Sequence, residues 1–352
     1  MDEKYCDHIP VDISAVHIPA TPFLKKLGYG TGVSVFLYSR SPAGERLRSP
    51  WAVKRVNKRH ALSQFGDRLE EEAKVLKTLS HPNIIGFRGF NRREDGTHCL
   101  VMEDGQKSLL DIIDERCEDE EGPFPVAVIE SVIEKLASAL DYLHTEKNIL
   151  HGDLKSGNVL VVGDFQNVKL CDFGVTLPLN EAGVVSDPDR KYVGTEAWSP
   201  PEVIRDSQLL TNKADIFAFG LLIYEMLALH SPHVDKLALG DDDDDDDADA
   251  SIDDEEFRAA LGSRPPLPDD LKLDSSYSKI LEIFFATTNE DPKQRPSASE
   301  ILDLLAENGE NDDSVLCVNM VKGEEDRNSG VDLDTSSIIC LEDSIYHTPS
   351  AS

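Results

Sequence analysis

The sequence is poor in positive charge. It holds 35 lysines and arginines against 67 aspartates and glutamates in 352 residues, a formal net charge of −32. A phosphate backbone attracts basic surfaces, so this balance argues against a nucleic-acid partner. Paired cysteines are missing too. Cys6, Cys99, Cys117, Cys171, Cys317 and Cys340 form no C-x-x-C pair and no Cys/His run with zinc spacing. Scattered free thiols suit a reducing compartment. Long apolar runs are absent. The most apolar stretch, Ile216 to Leu229, covers about 14 residues and contains Glu225, which is too short to span a bilayer and suits a buried helix. Residues Met1 to Asp7 lack the apolar core of a signal peptide. The expectation is a soluble protein of the cytoplasm, the nucleus or both, with no membrane partner.

What is present can bury a core: 40% of the residues are apolar and the length is ample for a large domain. The negative charge is unevenly spread. Asp241 to Glu256 carry 12 acids and no base, and Ala306 to Ser352 carry 11 acids and two bases. Those 63 residues hold −21 of the charge and leave −11 on the other 289. Seven successive aspartates, Asp241 to Asp247, repel one another and resist helix or strand, so a solvated loop is expected there. The implied organisation is a tail over 1–18, a folded domain over 19–305 with an acidic insertion at 238–256, and an acidic, unstructured tail over 306–352.

Within the domain the pattern changes near residue 104. From Leu24 to Glu103 short β-rich runs dominate, at 33–37, 51–56 and 99–102, and one helical pattern runs from Arg68 to Leu79. Beyond Gly105 helical periodicity takes over, at 125–144, 213–229, 255–261, 276–287 and 298–306, with strands at 159–162 and 168–171. The fold class is α+β, a small β-rich unit with one helix followed by a larger helical unit.

Three patterns carry chemistry. The first is Leu27-Gly28-Tyr29-Gly30-Thr31-Gly32-Val33-Ser34-Val35. Glycines let a turn between strands approach phosphates, so that backbone N–H groups meet anionic oxygens, although many glycine-rich hairpins are only tight turns. Strand rather than helix follows, which separates it from a dinucleotide fingerprint. The second is Lys54 inside the apolar run Ala52-Val53-Lys54. A lysine there is costly unless its ammonium finds an anion or snorkels to an edge, and Glu72 on the following helix could supply the carboxylate. The third is His151-Gly152-Asp153-Leu154-Lys155-Ser156-Gly157-Asn158, with Asp172-Phe173-Gly174 nineteen residues after Asp153. Phosphoryl transfer needs an aspartate near the attacking hydroxyl, oxygen ligands for Mg²⁺ and positive charge on the transferred group. Asp153, the pair Asn158 and Asp172, and Lys155 can fill those roles.

In order and spacing, these patterns resemble the protein kinase signature over roughly residues 24–306. Pro200-Pro201-Glu202 resembles the A-P-E position, and Asp215 to Gly220 resembles D-x-W-x-x-G with Phe217 for tryptophan. Arg295 stands where the family pairs an arginine with that glutamate. The resemblance implies a two-lobed fold with lobes at 19–103 and 104–305 and with ATP between them. It implies that residues 27–35 cover the phosphates, that Lys54 pairs with Glu72, and that Met102 is the gatekeeper with Glu103 opening the hinge. Asp153 becomes the catalytic base, Lys155 the γ-phosphate stabiliser, Asn158 and Asp172 the Mg²⁺ ligands, and Thr195 an anchor of the substrate loop. Within the family the resemblance is to a MAP-kinase-kinase-like Ser/Thr enzyme with a mitotic role, acting on stress-activated MAP kinases and phosphorylated by a cyclin-dependent kinase. Tyrosine as a further acceptor stays open.

Several features depart from the family pattern. Val33 replaces the usual third glycine. Gly152 replaces the arginine with which many kinases hold an activation-loop phosphate, so weak dependence on such a phosphate is expected; the candidate hydroxyls are Thr176, Ser186, Tyr192 and Thr195. The sequence ends Pro349-Ser350-Ala351-Ser352, which does not support PDZ binding. Ile338-Ile339-Cys340-Leu341 beside acids resembles a SUMO-interacting strand, against the simpler reading of an unstructured tail. Thr21-Pro22 and Thr348-Pro349 are minimal proline-directed sites. Two rival readings are a pseudokinase scaffold, which would lack Lys54, Asp153 or Asp172, and a docking protein that works through its acidic loop and tail.

Overall fold

The computed structural model describes residues 25–30, 33–40, 48–57, 64–92, 97–187, 189–206, 209–234 and 254–306. The acidic insertion up to residue 253, the tails over 1–18 and 307–352, Thr31 and Gly32 lie outside them, as do the SUMO-like strand, the two Thr-Pro sites and the chain end.

The first third is a five-stranded antiparallel sheet of β1 (Lys25–Gly30), β2 (Val33–Tyr38), β3 (Trp51–Val56), β4 (Phe87–Arg92) and β5 (His98–Glu103), in the order β1-β2-β3-β5-β4. β3 lies in the middle and all six of its residues are buried. Side chains alternate along a strand. Trp51 and Val53 join Phe36, Cys99 and Val101 in one small cluster, while Val56 belongs to the main core. Lys54 therefore shares the face of Val56, the face turned to the helix that follows. That helix, α1 (Gln64–Lys77), buries Leu69, Glu72, Ala73 and Leu76 at helical spacing. Asp67 in its first turn and Lys74 and Lys77 in its last complement the helix dipole. It begins four residues before the expected start at Arg68.

β6 (Lys107–Ser108) and α2 (Leu109–Glu118) follow, the latter held by a reciprocal capping box between Ser108 and Asp111. α3 (Val126–Asp141) buries Ile129, Val132, Ile133, Leu136 and Leu140 on the expected face. Its end widens into a π turn at Tyr142–Glu146. β7 (Ile149–Leu150), β8 (Val159–Val162) and β9 (Asn167–Leu170) frame the central loop, with β6-β8-β9 forming one small sheet and β7 pairing with β10 (Leu177–Pro178). The remaining helices are α4 (Pro201–Ile204), α5 (Lys213–Ala228), α6 (Asp254–Ala260), α7 (Ser278–Thr287) and α8 (Ala298–Ala306).

α5 contains the apolar run noted above. It is buried on all sides, from Ala214 to Leu227, as a helix apolar all round should be. One hydrophobic core runs from Val56, Leu69 and Leu76 through Leu170 and Phe173 to α3, α5 and α7. The β-rich and helical units thus share apolar contacts at the place where the polar site lies. Among the described residues no helix is long and apolar enough to cross a membrane.

Candidate active site

The glycine-rich segment folds as the β1–β2 hairpin, with Gly30 paired to Val33 and Gly28 to Val35. Leu27 is exposed. On the next strand Val35 pairs with Lys54, which puts the hairpin beside the lysine. Lys54 Nζ donates to Glu72 Oε2 and Oε1 at 2.9 and 3.1 Å and to Asp172 Oδ1 at 2.9 Å. One ammonium thus joins β3, α1 and the loop after β9. Burial alone would lower the lysine's pKa, but Asp172 and Glu72 hold it well above the usual lysine range. Two carboxylates share that one cation. Burial, aided by the charge of Asp172, pushes Glu72 up to about 7 against the pull of Lys54. Burial would raise Asp172 as well; there Lys54, His151 and the Gly174 N–H prevail and hold the group below the usual carboxylate range.

Asp153 sits in a second network. The Thr195 N–H and hydroxyl donate to its Oδ1 at 2.9 and 2.7 Å. Asn158 Nδ2 donates to its Oδ2 at 2.9 Å and to its carbonyl at 2.7 Å. Lys155 Nζ lies 3.3 Å from Oδ2 and donates to Thr195 Oγ1 at 2.5 Å. Three candidate residues, two from the same loop and Thr195 from 42 positions further on, therefore converge on one carboxylate. His151 links the two networks. Its Nε2 donates to the Cys171 carbonyl at 3.0 Å, its Nδ1 accepts from the Asp153 N–H at 3.3 Å, and its ring meets Phe173 edge-on.

Met102 is buried at the end of β5, opposite Ala52. Glu103 donates its N–H to the Gly86 carbonyl at 2.8 Å, and its carboxylate lies 3.4 Å from Lys169 and 3.6 Å from Arg88. A Cβ at Gly105 would lie 2.3 Å from Leu160, so the strand-to-helix connection runs directly against β8. Glu202 is held by Arg295 in a two-point pair of 2.7 and 2.8 Å, as the resemblance implied. Ser34 is buried and bonded to Asn57.

Residues 22–304 match the Protein kinase domain family. The chain belongs to the protein kinases. This kinase is 50% identical over 294 residues to the human lymphokine-activated killer T-cell-originated protein kinase, covering 82% of its own length and 91% of that relative. It is 30% identical over 251 residues to MAP3K epsilon protein kinase 1 of Arabidopsis thaliana, across 71% of the chain but 16% of that much longer protein. To the mitogen-activated protein kinase kinase kinase ANP1 of the same plant it is 30% identical over 234 residues, 66% of the chain and 31% of the relative.

Three residues that hold the kinase's central loop were not singled out as such from the sequence. Asp215 accepts the His151 and Gly152 N–H groups at 2.8 and 2.9 Å and bonds His144 Nε2 at 2.8 Å. Burial would raise its pKa, yet His144, His151 and the Gly152 N–H keep it low. Glu225, deep in α5, accepts from the Ser156 N–H at 3.2 Å, from Trp198 Nε1 at 2.9 Å and from the Ser156 hydroxyl. Burial pushes it up to about 7. One sequence signal was available: a charged residue inside the most apolar run must be partnered. His144 carried no such signal.

The four candidate hydroxyls differ in availability. Thr195 is bound to Asp153 and Lys155. Tyr192 packs against the cluster of Leu150, Leu177 and Leu179, and burial raises its hydroxyl pKa. Thr176 donates to the Phe173 carbonyl. Ser186 is exposed. Cys171 has its thiol pushed up by burial, which fits packing rather than redox chemistry.

Proposed function

We propose that this kinase transfers the γ-phosphate of ATP to serine and threonine hydroxyls of protein substrates, in the manner of a MAP-kinase-kinase-like enzyme. The carrying observation is the convergence of Lys155, Asn158 and Thr195 on Asp153, beside the Lys54–Glu72–Asp172 cluster.

Asp153 is the group that takes the proton of the attacking hydroxyl. Asn158 and Thr195 fix the plane of its carboxylate, so that little reorganisation is needed when the hydroxyl arrives. Lys155 brings positive charge to the same place. Lys54, held by Glu72, reaches the nucleotide phosphates under the β1–β2 hairpin, whose backbone covers them. Asn158 and Asp172 are the Mg²⁺ ligands. Asn158 commits its amide nitrogen to Asp153 and keeps an oxygen, and only Oδ1 of Asp172 is bonded to Lys54. Two oxygen donors suit an ion that takes most of its shell from phosphates and water. When bound, Mg²⁺ would neutralise the charge that builds on the phosphate oxygens. The MAP-kinase-kinase-like resemblance makes stress-activated MAP kinases the first substrates to try, with tyrosine tested beside serine and threonine. A mitotic role and an upstream cyclin-dependent kinase belong to the same proposal.

The test is ATP-dependent phosphorylation of a Ser/Thr/Tyr peptide library by the full chain. Asp153→Ala and Lys54→Met should each lower the rate by roughly 10²- to 10⁴-fold. Phosphorylation by Asp153→Ala at the wild-type rate would sink the reading and favour the scaffold alternative.

A further inference from the structure

The segment that leads to Thr195 is seated by one aromatic side chain. Lys191 and Val193 are exposed, and Tyr192 between them turns inward, the alternation of an extended chain. Its ring packs on the cluster of Leu150, Leu177, Leu179 and Ala214. Leu150 and Leu177 face each other across the β7–β10 pair. Leu150 also directly precedes the loop that carries His151 and Asp153. The ring therefore rests on the strand from which the catalytic loop leaves.

Two further contacts run from Tyr192 toward Asp153. Its hydroxyl bonds the Ser199 side chain. Ser199 is buried and donates its own hydroxyl hydrogen to the Thr195 carbonyl at 3.1 Å, so it accepts the tyrosine's. The edge of the ring also meets the chain at Gly194. A Cβ there would lie 2.5 Å from Tyr192 Cε1 and 2.4 Å from the Gly152 carbonyl oxygen. Gly194 is wedged between the tyrosine and the catalytic loop, an approach that only a residue without Cβ allows. The next residue is Thr195, whose N–H and hydroxyl donate to Asp153 Oδ1. One side chain thus braces the backbone on both sides of those two bonds, at Gly194 before them and at Ser199 after them.

We propose that Tyr192 is a positioning residue, which sets Thr195 against Asp153 by packing on β7 and β10, by bracing Gly194 and by its bond to Ser199. It touches no reacting atom and acts through Thr195. The seat is built from apolar side chains, hydroxyls and backbone, and its hydroxyl is committed to Ser199 rather than offered to a modifying enzyme. A misplacement of about 1 Å at a catalytic group costs about 10²-fold in rate, so the seat matters to phosphoryl transfer even though it lies outside the reacting centre. That consequence rests on the proposed function; the seating of Thr195 does not.

The experiment uses the full chain and reads two quantities. One is hydrogen exchange of the backbone amides over residues 193–199. The other is steady-state phosphorylation of a Ser/Thr peptide, with KM measured separately for peptide and for ATP. Tyr192→Ala should speed the exchange by about tenfold or more. It should lower kcat/KM for the peptide about 10²-fold while KM for ATP stays within about twofold. Tyr192→Phe keeps the ring and gives up only the bond to Ser199, so both quantities should return to within about fivefold of wild type. Should the alanine variant not fold, Tyr192→Leu still fills the apolar cluster but reaches neither Gly194 nor Ser199, and it should show the same split. Unchanged exchange over 193–199 in Tyr192→Leu, KM for ATP rising in step with KM for the peptide, or a phenylalanine variant as damaged as the alanine one would overturn the proposal. Faster exchange in the variants of a chain that phosphorylates no peptide would support the seat and defeat the proposed chemistry instead.

Discussion

Two buried ion clusters in this kinase are built on opposite principles. Arg295 and Glu202 are 0% and 1% exposed, one charge of each sign, joined at two points. All five N–H donors of the guanidinium are used. Besides Glu202 they reach the carbonyls of Asn289, Lys213 and Glu290, and the plane lies 4.9 Å from the Phe217 ring centroid. Lys54, Glu72 and Asp172 form the other cluster. It has two acids for one base, and the Asp172 side chain is 40% exposed. The first cluster is closed and locks the Pro200-Pro201-Glu202 turn to the helical unit. The second keeps a spare negative charge facing solvent, which suits a place where a further cation is to bind. Buried ion pairs are weak evidence of stability in themselves, so what separates structural from functional clusters here is whether their charge and donors are already balanced.

The sharpest way to break this comparison is to remove one partner from each cluster. Glu202→Ala leaves a guanidinium that cannot shed its proton. The expected loss is about 3–5 kcal/mol of stability, read as a fall in Tm of roughly 10 °C. Lys54→Met leaves two carboxylates, one of which is already pushed up to about 7. Glu72 can take up a proton and escape the penalty, so Lys54→Met should cost less than Glu202→Ala, and less at pH 6 than at pH 8. A larger loss for Lys54→Met at pH 6 would show that the site cluster, not the Arg295 pair, is the structural one.

A second prediction concerns Glu225, balanced in hydrogen bonds but not in charge. Its native pKa of about 7 lies above the ordinary value of 4.5. The folded state binds its proton more tightly than the unfolded chain does. The resulting stability is present below pH 4.5 and is lost as pH rises through 7. Glu225→Gln keeps acceptors for Trp198 and the Ser156 N–H, and the Ser156 hydroxyl can turn to meet the new amide. The variant should be level with wild type near pH 4.5 and more stable at pH 8, by up to about 3 kcal/mol. Urea unfolding at the two pH values measures this, and a pH-independent difference would count against it.

Much of this was legible in the sequence because the chemistry repeats short polar signatures between apolar strands. Lys54, Glu72, Asp153, Lys155, Asn158, Asp172 and Thr195 were all named from spacing and resemblance, and the structure brings them into two adjacent networks. α5 could be read from its apolar run, and α3 from its periodicity. Other parts could not be read this way. β4 reads Phe-Arg-Gly-Phe-Asn-Arg, with its phenylalanines three apart rather than alternating, and half of the α2 residues are charged, so neither was singled out from its pattern. The support beneath the catalytic loop is written in contacts between α5 and residues 151–156, some 60 to 70 positions apart. No local pattern records a contact of that range.

The smallest expected effect tests why the loop lacks its usual arginine. Gly152 has φ +81°, and a Cβ there would come within 3.1 Å of the Val175 carbonyl oxygen. Its N–H is held by Asp215 at 2.9 Å, so the backbone cannot readily turn to a right-handed conformation without losing that bond. Arginine at this position is therefore disfavoured by the backbone, quite apart from its charge. Gly152→Arg should cost about 1–2 kcal/mol through the left-handed conformation, with Gly152→Ala costing nearly the same because the strain begins at Cβ. Equal losses in the two variants locate the cause in the backbone. A harmless alanine beside a damaging arginine would instead place the cause in the longer side chain and its charge, and would show that the backbone at this position does not by itself exclude the usual arginine.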